Sequence, residues 1–178
     1  MTAVLVGLLV ALVLDLLFDE VKHFHPLVGF GALASWVEKK LNYAKASRAI
    51  GVLAYLLVVA PIVSLSILIV WLLQNYPVIQ MLFAGLVLYF ALGWRSLLQH
   101  AMAIAIPLKS GDLKVAQQAV SMIVSRDTAQ LDEAGIASAA TESVLENGAD
   151  AIFSAIFWFL IAGVPGVVLY RLSNTLDA

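Results

Sequence analysis

The sequence contains no cysteine, which excludes a disulfide framework, a thiolate metal site and a cysteine nucleophile. It is also poor in charge. Only 12% of its 178 residues are Asp, Glu, Lys or Arg, whereas soluble domains have about a quarter. The net charge of −2 gives no basis for nucleic-acid binding. Because 62% of the residues are hydrophobic, the composition predicts an integral membrane protein made of helices.

The first apolar stretch, residues 2–18, differs from a signal peptide because no basic segment precedes it and Asp15 interrupts it. We therefore expect a retained, short membrane helix. Two further spans are predicted at residues 49–73, which include Pro61, and at residues 78–94. The second is expected to continue as a helix to about Ile106. Amphipathic spacing predicts helices at residues 29–43, in the membrane interface, and at residues 113–124, capped by Asp112.

The last apolar stretch, residues 151–170, is interrupted by the sequence Gly-Val-Pro-Gly at residues 163–166. One interpretation is a kinked span. The other is a re-entrant pair of short helices, because the twelve apolar residues before the interruption cover about 18 Å, roughly half of a bilayer core. We favour the re-entrant form, since it returns Asn174 and Asp177 to the side of the preceding polar segment.

Residues 121–150 form the longest polar segment of the chain. A helix is predicted from Thr128 to Asn147, with Asp127 as its N-cap. Glu142 and Glu146 then lie four residues apart on one face, and we expect a break at Gly148 to bring Asp150 to them. Two interpretations stay open, a solvated acidic face and a carboxylate cluster that binds a divalent cation.

Further polar residues lie near the predicted helix ends. Asp15, within the first apolar run, Asp19 and His25 either mark where the first helix leaves the membrane or form an intramembrane site. Arg126 and Asp127 either cap a helix or bind an anion at its N-terminus. Asn174 and Asp177 close the sequence as polar residues of a helix end.

Basic residues predict the topology. Five Lys or Arg residues occur in residues 19–48 and none occurs at residues 74–77. This asymmetry places the N-terminus outside, and residues 19–48 and 95–150 in the cytosol.

Several segments, in order, resemble the adenosylcobinamide-phosphate synthase family of cobalamin biosynthesis, the CobD/CbiB family. They are DLLFDEVKHFHPLVGFG (residues 15–31), YFALGWRSLLQHA (89–101), SMIVSRDTAQLDEAG (121–135), TESVLENGAD (141–150) and YRLSNTLDA (170–178). Members of the family continue past the last motif. The resemblance therefore implies that the chain corresponds to the N-terminal part of a longer family protein.

The resemblance implies a ligase of the cell (inner) membrane with its active site facing the cytoplasm. It would join adenosylcobyric acid to (R)-1-amino-2-propanol or its phosphate through an amide bond, with ATP and Mg²⁺ as cofactors. Lipid and these small molecules would be its partners, with a second copy or other enzymes of the corrinoid pathway as further candidates. The resemblance also implies roles for residues, carried over by position. The metal and nucleotide residues would be Glu142, Glu146, Asn147 and Asp150, and the base or corrinoid contacts would be Asp15, Asp19 and His25. Arg126 and Asp127 would contact phosphate, and Asn174 and Asp177 would complete the site.

The predicted fold is an all-α integral membrane protein with about three or four transmembrane or re-entrant helices and amphipathic cytosolic helices. We expect a single membrane domain over residues 1–178. It comprises membrane helices over 1–107, with the interfacial helix 29–43, polar cytosolic helices over 108–150, and a re-entrant or last span over 151–178. A non-enzymatic transporter or sensor with an acid-lined site is the alternative function, because broken helices and intramembrane acids also mark transport paths.

Overall fold

The computed structural model describes residues 2–18, 26–41 and 47–177. Within them all regular secondary structure is helical, as predicted. The helices are α1 (Thr2–Leu17), α2 (Pro26–Leu41), α3 (Arg48–Leu72), α4 (Pro77–Ala91), α5 (Trp94–Lys109), α6 (Leu113–Val120), α7 (Glu133–Gly148) and α8 (Ala155–Asp177), with a π-helical turn at Ala149–Ser154 before α8.

Three helical runs are long and apolar enough to cross a membrane, by length and composition: Arg48–Leu72, Pro77–Lys109 and Glu133–Asp177. Thr2–Leu17 is a shorter apolar helix. These runs confirm the all-α membrane class. Side chains along α3 such as Leu53, Leu57 and Leu68 are about half exposed, which is the surface that a lipid-facing helix presents.

Contacts divide the chain into two compact units, and the single membrane domain stays a prediction. Unit 1 comprises residues 1–92 and 154–178, and unit 2 comprises residues 93–153. In unit 1, α1 packs chiefly against α4, and α8 packs against α3 and α4. Leu88 of α4 and Phe159 of α8 are fully buried in this core.

The interruption predicted in the last apolar stretch is confirmed at Gly163, whose φ of 63° and ψ of −147° are not helical. The helix is kinked there, and the backbone of Gly166 lies so close to Trp158 that a Cβ atom on Gly166 would touch the Trp158 carbonyl oxygen. In a straight helix, eight residues would separate these positions by about 12 Å. The two halves of α8 therefore meet at a kink and do not form one straight helix. The choice between a kinked span and a re-entrant pair of helices stays a prediction.

In unit 2, α6 and α7 both pack against α5. Ile104 of α5, Val120 of α6 and Ile136 of α7 are nearly or fully buried and form its apolar core. Asp112 caps α6 as predicted, because its Oδ1 accepts a hydrogen bond from the amide of Val115 at 3.2 Å. The polar segment of the sequence is thus fixed on a small helical scaffold.

Two predicted helices differ from the structure. The continuous helix from residue 78 to about Ile106 is wrong, because the backbone is extended at Leu92 and the Gly93 amide donates to the Ala151 carbonyl at 3.2 Å. The following helix, α5, includes Pro107 in its last turn and ends at Lys109. The predicted helix 113–124 ends early, at Val120, and a series of turns follows.

Candidate functional site

The turns at residues 121–132, here called the polar loop, are tied to α6 and α7 by side chains. Thr128 is buried, and its hydroxyl donates to the carbonyl of Gln117 at 3.0 Å. The side-chain amide of Gln117 in turn donates to the carbonyl of Leu131 at 2.8 Å. On α7, the buried Ser143 donates to the carbonyl of Ile123 at 2.8 Å. These bonds satisfy part-buried backbone carbonyls and tie the loop to α6 and α7.

The start of α7 differs from the prediction. The helix begins at Glu133, and Asp132 is its N-cap, with Oδ1 accepting from the Gly135 amide at 2.8 Å. Asp127 accepts instead from the Ala129 amide at 3.0 Å, which is a local turn. The prediction of Asp127 as the cap of a helix from Thr128 is therefore wrong. The Thr128 hydroxyl binds the loop to the Gln117 carbonyl of α6, and the backbone forms turns from this residue to the start of α7 at Glu133.

Arg126 and Glu142 form an ion pair across the loop, with Nη2 and Oε2 2.7 Å apart. The charge of Glu142 is therefore partly compensated by a residue that lies outside α7. The two side chains are 52% and 67% exposed, so the pair itself adds at most about 1 kcal/mol of stability. Its consequence is geometric, because it places a guanidinium beside the acidic face formed by Glu142 and Glu146.

The end of α7 also differs from the prediction. Gly148 does not break the helix, which continues to that residue and then widens into the π-helical turn that contains Asp150. Gly148 is buried against Leu97 of α5, and a Cβ atom on it would lie 3.5 Å from Leu97 Cδ2. A π-helical turn changes the angle between successive side chains. Asp150 therefore lies in the π-helical turn and not in the α-helix that carries Glu142 and Glu146.

The metal cluster predicted from Glu142, Glu146 and Asp150 is not assembled. In the part of the chain that the structure describes, no group of three His, Asp or Glu side chains lies close enough to hold a metal ion. A Mg²⁺ site does not need three carboxylates, since this ion usually takes one or two together with waters and substrate phosphates. The exposed Glu146 suits that mode better than a closed site of protein ligands. Asn147 donates to Ser143 on the same helix, at 2.8 Å to its carbonyl and 3.1 Å to its hydroxyl.

The other predicted residues belong to unit 1. Asp15 is buried in α1, only 7% exposed, so it is an acid in a packed environment. Asn174 is half-buried in the last turn of α8, and Asp177 is exposed at the end of that helix. Asp19 and His25 lie outside the described residues. The predicted association of Asp15, Asp19 and His25 therefore stays a prediction.

Unit 1 contains two cavities that the sequence did not predict. One, of about 330 Å³, is lined by apolar residues of α2, α3, α4 and α8 and by Arg171. The other, of about 410 Å³, is more polar and includes Glu38, Tyr55 and Thr175 in its wall. Tyr55 and Ser173 share a hydrogen bond of 2.8 Å, which ties α3 to α8. Periodicity does not reveal such cavities, because they depend on which helix faces meet.

Comparison with known proteins identifies the family. A family model described as CobD/Cbib protein matches residues 8–178. The chain belongs to this family. It is 53% identical, over 99% of its length, to the cobalamin biosynthesis protein CobD of Stutzerimonas stutzeri, of which it covers 57%. It is 48% identical, over 95% of its length, to the protein of that name from Chromobacterium violaceum, of which it covers 55%.

A more distant relative is the probable cobalamin biosynthesis protein CobD of Methanothermobacter thermautotrophicus. It is 36% identical over 96% of the chain, and the chain covers 56% of it. The chain thus spans about half the length of the curated relatives it matches. No solved structure matches the chain.

The anchoring of the polar loop leads to a stability prediction. Thr128→Val leaves the carbonyl of Gln117 without this donor, and we expect the free energy of unfolding to fall by about 1–3 kcal/mol. Thr141→Val is the matched control, because Thr141 is exposed and donates only to Ala137 on its own helix. Thermal unfolding of the detergent-solubilised chain measures both variants. Equal destabilisation by the two substitutions would contradict the anchoring role.

Proposed function

We propose that the chain is part of a membrane-bound ligase of cobalamin biosynthesis, one that joins adenosylcobyric acid to (R)-1-amino-2-propanol or its phosphate with consumption of ATP. The observation that carries this proposal is the polar loop. It is a fixed, exposed polar surface in a chain that matches the family model almost throughout. The cobalamin biosynthesis names of the relatives support the pathway.

Amide formation from a carboxylate requires activation of the acid and then attack by an amine. The Arg126 guanidinium beside the polar loop would bind substrate phosphate, since Arg donates in a geometry that suits phosphate oxygens. Glu146, and Asp150 from the π-helical turn, would hold Mg²⁺, which when bound offsets phosphate charge. Glu142 orients Arg126 through the ion pair. Asp15, Asp19 and His25 remain proposed as a base or as corrinoid contacts.

The direct test is ATP-dependent formation of adenosylcobinamide or its phosphate. We would assay the purified chain, and also the chain continued by the remaining part of the Stutzerimonas stutzeri relative, with each amine in turn. The expected product appears only with ATP, the corrinoid acid and the amine together. Absence of amide product from a folded, extended protein would refute the ligase proposal.

A transporter or sensor is the second candidate, because a buried acid in a membrane helix and a helix interrupted at Gly163 also occur along transport paths. Uptake of labelled corrinoid into proteoliposomes, without formation of an amide, would favour this function. If the protein is a ligase, we expect formation of the amide and no uptake of the corrinoid.

The proposed cytoplasmic site predicts the labelling of two engineered cysteines. Asn75 lies in the exposed turn after α3, and Ser35 is exposed on α2. In this cysteine-free chain, we expect Asn75→Cys to react with an impermeant maleimide from the periplasmic side and Ser35→Cys only after the membrane is permeabilised. The reverse pattern would invert the topology and place residues 95–150 outside the cytoplasm.

A further inference from the structure

One face of α5 carries large apolar side chains that unit 2 does not cover. Trp94, Leu98, Met102 and Ile106 recur every four residues and are 48%, 54%, 48% and 61% exposed. Residues at this spacing share one side of a helix. The neighbouring face of α5 holds the core residue Ile104 and is already packed against α6 and α7. The exposed row, here called the α5 stripe, is therefore a second apolar surface that needs a different partner.

The α5 stripe adjoins a groove between α5 and α7. The groove has a volume of about 330 Å³ and a floor of small residues such as Ala101, Ala105 and Ala140. Leu145, which is 69% exposed, lies on its α7 side. The stripe and the groove together form a larger apolar surface than the single exposed residues of a water-soluble protein.

Two features of the sequence and the structure favour lipid as the partner of this surface. α5 begins three residues after Ala91, the last residue of α4, and three residues extend at most about 11 Å. The sequence thus passes from the apolar helix α4 to the first turn of α5 within a few residues. Trp94 occupies that first turn, and the exposed cations Lys109 and Lys114 follow at the other end. Trp at one end, Leu-type residues along one face and Lys beside them are the composition of a helix that lies in the interface and contacts headgroup phosphates.

We propose that α5 lies along the cytoplasm-facing lipid interface, with the α5 stripe immersed at the boundary between headgroups and acyl chains. Helices of this kind bury their apolar face about 5–10 Å into that boundary. The same contact would hold the α6–α7 scaffold and its polar loop at the membrane surface. A membrane-soluble or amphipathic substrate would then meet the loop without leaving the bilayer surface.

Single-cysteine fluorescence quenching tests the proposal in the whole chain. Leu98→Cys, Met102→Cys and Ile106→Cys each carry an environment-sensitive fluorophore, in nanodiscs that contain phospholipid spin-labelled either near the headgroup or deep in the acyl chain. Ala103→Cys is the matched control, because Ala103 is exposed on α5 outside the stripe. We expect the three stripe labels to be quenched strongly by the shallow spin label, weakly by the deep one, and to similar extents. The control label should be quenched little by either lipid.

Three other outcomes would overturn the proposal. Depth that changes steadily from residue 98 to residue 106, by about 12 Å, would mean that α5 crosses the bilayer. Blue-shifted emission without quenching by either lipid would mean that protein, such as a second copy or a further segment, covers the stripe. Equal quenching at Ala103→Cys would mean that the stripe has no preferred orientation towards lipid.

Discussion

Replacing Glu146 by Gln is expected to lower the rate of ATP-dependent amide formation on the order of a hundredfold or more, while the protein stays folded. The substitution keeps the size of the side chain and removes one negative charge from the acidic face. If Glu146 holds Mg²⁺ on a phosphate, that charge acts in the transition state, and its loss costs several kcal/mol there. If the face is only solvated, the same change alters stability by a few tenths of a kcal/mol and leaves the rate unchanged.

Glu133→Gln is the matched control, because Glu133 is an exposed acid of the same helix and lies in its first turn, thirteen residues before Glu146. We expect its activity to be near that of the parent protein. Glu142→Gln should also lower activity, through a second route, since it releases Arg126 from the ion pair. The assay is amide formation by the extended chain, with thermal unfolding measured for each variant. Full activity of folded Glu146→Gln and Glu142→Gln would mean that both residues belong to a solvated acidic face without a role in catalysis. Asp15, Asp19 and His25 would then be the next residues to test.

The membrane helices followed from the sequence because a single physical requirement determines them. A segment inside lipid has to satisfy its backbone internally and be apolar throughout, so length and hydropathy located α1 and α3 to within about one residue at each end. The end of α4 was less well predicted, because the helix stops at Ala91, where the backbone becomes extended at Leu92. The boundaries failed where polar side chains compete for the backbone. The start of α7 moved from residue 128 to Glu133 because Thr128 bonds to Gln117, which lies eleven residues earlier. A local capping rule does not include such a distant partner.

The site was less predictable than the fold, because it too depends on contacts between residues that are distant in the sequence. Spacing placed Glu142 and Glu146 on one face, which α7 confirms. Spacing did not show that Arg126 would pair with Glu142 across sixteen residues, or that Asp150 would lie in a π-helical turn after α7. The ion pair depends on how the polar loop folds back on α7, which the hydrogen bonds of Thr128, Gln117 and Ser143 hold in place. The resemblance to the family named the residues and carried no information on these contacts.

Gly166→Ala is expected to destabilise unit 1 by about 3 kcal/mol or more, because the added methyl group has no space. A Cβ atom at this position would touch the Trp158 carbonyl oxygen and lie 2.6 Å from the Ala162 Cβ, and a backbone oxygen cannot move aside as a flexible side chain can. Gly31→Ala in α2 is the control, since nothing lies within 4 Å of the new atom, and the higher helix propensity of alanine should leave its stability equal or slightly raised. Gly163→Ala should fall between them, because its φ of 63° at ψ of −147° costs a residue with a Cβ atom about 1–3 kcal/mol even in open space. Thermal unfolding of the three variants in detergent measures this order of stability. If Gly166→Ala were as stable as Gly31→Ala, the two halves of α8 would not be packed against each other, and residues 155–177 would have to form a straighter span.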